Sequence, residues 1–203
     1  MKSLSEIDTL SKRASRAAGY SWGISEEVGK NIKLLEMFGL PGIKNLNDYY
    51  LKKNREKYEY LNIIGKKNKV NNFRFCPIIS GISFLDQIYS LEKFKEIKFE
   101  KMGYPILFLP FVSRASEIIG KRLFLKLDNK DFLLNFNNYI YSNFMKNKII
   151  NLAKTVSIKF LDNSDSFYEK EWKQLYKLSE NTFVEETDSL KKSAAGAGLT
   201  DND

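Results

Sequence analysis

Glu27 and Asn31 stand four residues apart and fall inside an otherwise apolar helical arc, which makes them the first candidates for chemistry in this chain. Projected at about 100° per residue, the stretch 24–38 places Ile24, Val28, Ile32, Leu34, Leu35 and Phe38 on one face. Glu26, Lys30 and Lys33 fall opposite, where a Glu26 to Lys30 pair on the solvent side is expected. A buried carboxylate needs a partner or a raised pKa, and either condition suits it to proton transfer or ligand binding. Glu27 therefore has two readings. It is a catalytic group, or it is a first-turn acid that complements the helix dipole and bonds the neighbouring turn.

Arg114 is the second candidate. It follows the apolar run 106–112, which reads as a strand buried on both faces, and Ser113 is placed to cap a short helix beginning there. A strand end opening onto a helix N-terminus is a ready anion site, while an ion pair with Glu117 is the structural alternative. Ser21 is an N-cap candidate in the tight 19–23 turn, and Trp22 beside it reads as a core anchor at a helix entry; substrate contact is the second role for each. At the far end, Asp201, Asn202 and Asp203 follow a lead containing Gly196 and Gly198, and their oxygens could hold a divalent cation such as Mg²⁺ or Ca²⁺. Glu27 and Arg114 are thus the candidate catalytic pair, Ser21, Trp22 and Asn31 the candidate substrate contacts, and Asp201 and Asp203 the candidate metal ligands.

The absence of histidine removes His-based acid/base chemistry, Ser-His-Asp and Cys-His relays and the commonest transition-metal ligand. A site here would work through carboxylate, Lys or Tyr proton transfer, with or without a hard metal. Cys76 cannot form an internal disulfide, and beside Pro77 in an apolar context it reads as a packing thiol rather than a nucleophile. The formal charge is +8, but 27 of the 33 basic residues are Lys, spread along the chain rather than gathered with Arg into a patch. Nucleic-acid binding is therefore disfavoured. No apolar run approaches the length of a membrane span, and the first residues are too acidic for a signal peptide, so a cytoplasmic protein is expected.

The elements that must position these residues follow from local signals. Ser3 and Glu6 form a capping box for a helix over 4–18 that ends at Gly19, and a second helix over 24–38 stops at Gly39 before Pro41. Gly29 inside it implies close approach of another element. A third, more polar helix lies within 45–61. Strand character begins near residue 72 and includes Phe73, Phe75, Ile78 and Ile79; further strands are expected over 94–101, 104–112 and 155–161, with a hairpin joining 121–127 to 132–136. Ser166 and Glu169 make a second capping box for a helix carrying Phe167, Trp172, Leu175, Tyr176 and Phe183. The expected class is α+β, with N-terminal antiparallel helices packed on a central, mainly antiparallel sheet and a C-terminal helix and tail. Residues 1–185 read as a single domain and 186–203 as a polar tail.

The motifs GYSWG at 19–23 with Glu26 and Glu27, the 39–42 turn, 76–78, 110–114 and GAGLTDND at 196–203 resemble a bacterial family known as a domain of unknown function. The resemblance implies no reaction and no catalytic residues, but it favours a role for the terminal segment. The reading that joins these observations is a cytosolic small-molecule metabolic enzyme, or the small subunit of one. The alternative is an interaction protein whose tail docks into a partner or a second copy of itself.

Overall fold

The computed structural model describes residues 2–53, 55–137, 139–144 and 148–182. It is an α+β protein whose contacts divide the chain into two units, Met1–Asn163 and Ser164–Asp203. In the first unit, α1 (Leu4–Ala17) opens on the Ser3/Glu6 capping box, with each side chain bonding the other residue's backbone N–H. Gly19 then turns the chain at a φ of 93°, a conformation that costs glycine nothing, and α2 (Trp22–Met37) runs back along α1. The antiparallel pairing is set by Gly29: a Cβ there would lie 2.9 Å from the Asp8 carbonyl oxygen and 3.3 Å from Lys12 Cβ. Next come α3 (Gly42–Lys53), α4 (Pro77–Asp86), the short α5 (Ile88–Leu91) and α6 (Leu109–Ile119).

The sheet contains β1 (Tyr58–Glu59), β2 (Lys67–Asn68), β3 (Arg74–Phe75), β4 (Glu96–Gly103), β5 (Leu123–Leu127), β6 (Lys130–Leu134), β7 (Ile140–Ser142) and β8 (Leu152–Phe160). Its order is β1-β3-β4-β8-β5-β6-β7, with β2 beside β4. The long ladders around β8 and the β5–β6 hairpin are antiparallel, while β1, β2 and β3 add short parallel pairings at one side. Alternation places Ile97, Phe99, Leu123, Leu125, Leu127, Phe132, Leu134, Val156 and Ile158 in the core, as a sheet with one covered face requires. Helix α6 contacts β5 and β6 as well as α2 and α4, so it joins the sheet to the other helices.

Three sequence expectations change here. The run 104–112 is not a strand: Pro105 opens a 3-10 turn (Pro105–Leu107), and Pro110 lies in the first turn of α6, where a missing N–H does no harm. Its continuous apolar character reflects a helix enclosed on most sides, since Leu109, Pro110, Phe111, Val112, Ser113, Ala115 and Ser116 are all buried. Likewise Ile78 and Ile79 belong to α4, for which Cys76 is the N-cap and Pro77 the first residue, leaving only Arg74–Phe75 as strand. The third helix starts earlier than expected, at Gly42, and ends at Lys53, and Tyr58–Glu59 joins the sheet.

In the second unit, α7 spans Glu169–Ser179 and Phe167 stacks on Trp172, with ring centroids 5.6 Å apart. Its N-cap is Tyr168 rather than Ser166, and the Tyr168 N–H donates to the Glu171 carboxylate at 2.7 Å. Phe183 and the segment 186–203 lie outside the described residues. Among the described residues, no helix is long and apolar enough to cross a membrane.

Candidate functional site

Glu27 on α2 and Arg114 on α6 meet in an ion pair between Oε2 and Nη1, and Lys30 donates to the other Glu27 oxygen at 3.0 Å. Their side chains are 22% and 29% exposed, so water reaches the pair only in part. Burial pulls the Arg114 guanidinium below its ordinary pKa, with the charge of Glu117 acting against that shift. The sequence selected both members without pairing them. Arg114 is tied to Glu27 instead of Glu117, and Lys30 is tied to Glu27 instead of Glu26, which lies 4.0 Å from Lys12. Because 106–112 is not a strand, the anion site expected at its end does not form: Ser113 and Arg114 sit inside α6, one full turn past its start.

Asn31 lies one turn along α2 from Glu27, buried at 2% exposure. It lines a cavity of about 10 Å³ together with Val28, Ile32, Ile78, Leu107 and Phe111, so α2 and α6 face each other through an ionic contact at one level and an apolar one at the next. Ser21 and Trp22 are at the start of α2. Ser21 Oγ accepts from the Ile24 N–H at 3.4 Å, which makes it the N-cap. Trp22 is 57% exposed, with the Arg16 guanidinium 5.5 Å from its ring centroid, so it is not the core anchor expected of it. Its side chain is held over the outside of the helix turn rather than in the core. Asp201 and Asp203 lie outside the described residues, among which no cluster of three or more acidic or thiol groups could hold a metal.

A second arrangement was not anticipated. Lys44, Asn47 and Asp48 share one face of α3 and, with Lys148 and Ile149, line an open cleft of about 480 Å³. The opposing wall is fixed to α3 and to the end of β4: Ile150 N–H donates to Asn45 Oδ1 at 3.3 Å, and Tyr104 N–H donates to the Asn151 carbonyl at 3.1 Å. Asp48 Oδ2 accepts both the Tyr104 hydroxyl at 2.6 Å and Lys52 Nζ at 2.7 Å. The Lys52 contact and then the Tyr104 hydroxyl hold the Asp48 carboxyl below its usual range, so it stays ionised at neutral pH. Burial, reinforced by the same hydrogen bond, pushes the Tyr104 phenol well above its ordinary value and keeps it a donor. Asp48 Oδ1 has no hydrogen-bond partner among the described residues. The sequence offered one clue, the Asp48/Lys52 spacing on a polar helix; the Tyr104 contact comes from 56 positions away.

Behind Asp48 lies a tyrosine cluster. Tyr49 packs edge-on against Tyr104 and Tyr58 at 5.5 and 5.1 Å, and its hydroxyl is 2.8 Å from that of Tyr20 and 3.2 Å from Cys76 Sγ. Burial drives the Tyr49 and Tyr20 phenols far above their ordinary values, so both remain neutral. Cys76 is fully buried among them and also accepts the Ile79 N–H, a packing and capping role.

Residues 2–74 match the family model described as a protein of unknown function, DUF3726, which covers α1 to α3 and the start of the sheet. No curated protein and no solved structure matches the chain.

Proposed function

We propose that this protein is a cytosolic small-molecule metabolic enzyme, or the small subunit of one, whose ligand site is the cleft beside α3. The observation that carries this reading is the set of groups lining one concave surface: the Lys44 and Lys148 ammonium groups, the Asn47 carboxamide, and a carboxylate already held in place by Tyr104 and Lys52. Two cations and an amide suit the carboxylate or phosphate of a small anionic metabolite. Asp48 Oδ1 then receives a hydroxyl or ammonium donor from the same ligand. Since Asp48 is ionised and Tyr104 is held neutral, any proton chemistry runs through Asp48 as acceptor. The Glu27–Arg114 ion pair joins α2 to α6 and serves better to hold those helices together than to meet a substrate. Thermal melting at low salt against small hydroxy acids, amino acids and phosphate esters tests the proposal. A ligand that raises the melting temperature of the natural chain should lose that effect in K44A/K148A and D48N. If no such anion shifts the natural chain, the cleft is not a ligand site.

An interaction role is the second reading, and α7 favours it. Trp172, Leu175 and Tyr176 recur at helical spacing, and none of the described residues of the second unit is buried. Association through this stripe predicts concentration-dependent sedimentation that W172A/L175A abolishes. A chain that sediments as a monomer at all concentrations counts against self-association.

A further inference from the structure

We infer that the cavity between α2 and α6 is a binding site for one water molecule, held by the side chain of Asn31. Asn31 is 2% exposed, and neither its Nδ2 nor its Oδ1 has a hydrogen-bond partner among the described residues. A carboxamide carries two donor hydrogens and an acceptor oxygen, and native proteins rarely bury such a group without a partner, because its hydration is lost with nothing in return. The side chains around it cannot supply that partner: Val28, Ile32, Ile78, Leu107 and Phe111 are all apolar. The cavity they enclose is about 10 Å³, close to the space one water occupies and too small for any metabolite.

A buried water needs more than one polar contact, and the second in this proposal is the carbonyl of Ile106, the residue before the lining Leu107. Pro110 has no N–H, so the Ile106 carbonyl, adjacent to the lining residue Leu107, lacks the donor that an uninterrupted helix would bring from four residues later. The water donates to that carbonyl and bonds the Asn31 carboxamide, linking the turn before α6 to the middle of α2. This site is independent of the cleft beside α3 and stands or falls without it.

The test uses the natural chain first. In water-selective NMR spectra, the Asn31 side-chain amide protons should show cross-peaks of the sign given by a long-lived bound water. Oxygen-17 relaxation dispersion should count one fewer long-lived water in N31L than in the natural chain. Cross-peaks from the Asn31 amide to protein protons alone, or an unchanged count in N31L, would overturn the assignment. Should N31L fail to fold, the cross-peak experiment decides by itself.

Discussion

The Tyr104 hydroxyl donates a 2.6 Å hydrogen bond to Asp48 Oδ2, so a carboxylate lining the cleft is fixed by a fully buried residue at the end of β4. Tyr104 does this from a left-handed backbone conformation, φ 44° and ψ 55°, immediately before Pro105. A non-glycine residue there costs about 1–3 kcal/mol, a cost tolerated only where surrounding contacts over-determine the geometry. Those contacts are present: the Tyr104 N–H reaches Asn151, its carbonyl accepts Leu107 N–H, and its ring packs against Tyr49.

Tyr104→Phe should therefore act on Asp48 more than on the fold. Losing one hydrogen bond to this partly exposed carboxylate costs about 1 kcal/mol in urea unfolding. The Asp48 carboxyl, now held low by Lys52 alone, should titrate at higher pH in carbon-detected NMR. The sign follows from its depressed folded-state pKa: the stabilisation is present above the ordinary carboxylate range and is lost as pH falls through the folded value, so the variant loses less on acidification. An Asp48 titration that stays where it was would show that the hydroxyl contact does not form in solution.

Glu27 and Arg114 should prove unequal partners. In Arg114→Met, Glu27 keeps Lys30 at 3.0 Å, whereas in Glu27→Gln the half-buried guanidinium loses its carboxylate. Breaking a fully buried pair from one side costs about 3–5 kcal/mol, and partial exposure scales this to about 1–3 kcal/mol. Glu27→Gln is expected to be the costlier change, and the double variant less destabilised than the two single effects added together. A double-mutant cycle by chemical denaturation measures the coupling; strict additivity would mean that the pair contributes nothing.

What the sequence made legible was local. The Ser3/Glu6 box, the Gly19 turn and the Ser21 cap each depend on residues within four positions of one another, and each forms as their chemistry directs. Gly29 marked a close contact correctly without identifying Asp8 as the neighbour. The 104–112 run was misleading because an enclosed helix and an enclosed strand both read as unbroken apolar sequence; the decisive hints were Pro105 and Pro110 in first-turn positions. The cleft was invisible for another reason. Its Asp48 and Lys148 come from distant segments, and the Tyr104 that holds Asp48 comes from a third, at the end of β4.

Glu59 predicts an acid-sensitive step. Its carboxylate accepts the backbone N–H groups of Asn71, Asn72 and Phe73 at 2.6–3.0 Å, and these bonds, that of Phe73 foremost, lower its pKa. A depressed carboxylate contributes stability above its unfolded pKa, near 4.3 for a model Glu, and that contribution disappears as pH falls through the folded value. Glu59→Gln should reduce the melting temperature at pH 7 and flatten its fall between about pH 5 and pH 2. Parallel curves for the two proteins would show that the 71–73 backbone does not hold this carboxylate.

Two glycines of one helix should respond to alanine in opposite directions. Alanine is favoured over glycine by about 1 kcal/mol inside a helix. At Gly23 nothing lies within 4 Å of a new Cβ, so Gly23→Ala should keep much of that gain. At Gly29 the Cβ would meet the Asp8 backbone carbonyl at 2.9 Å, below any ordinary contact, and backbone cannot swing aside as the end of a long side chain can. Relief requires α1 to move off α2, and overpacking of this kind costs about 1–3 kcal/mol, more than the propensity returns. Urea unfolding of the two variants should therefore give shifts of opposite sign. A Gly29→Ala chain as stable as Gly23→Ala would mean that α1 and α2 stand further apart than the Asp8 contact requires.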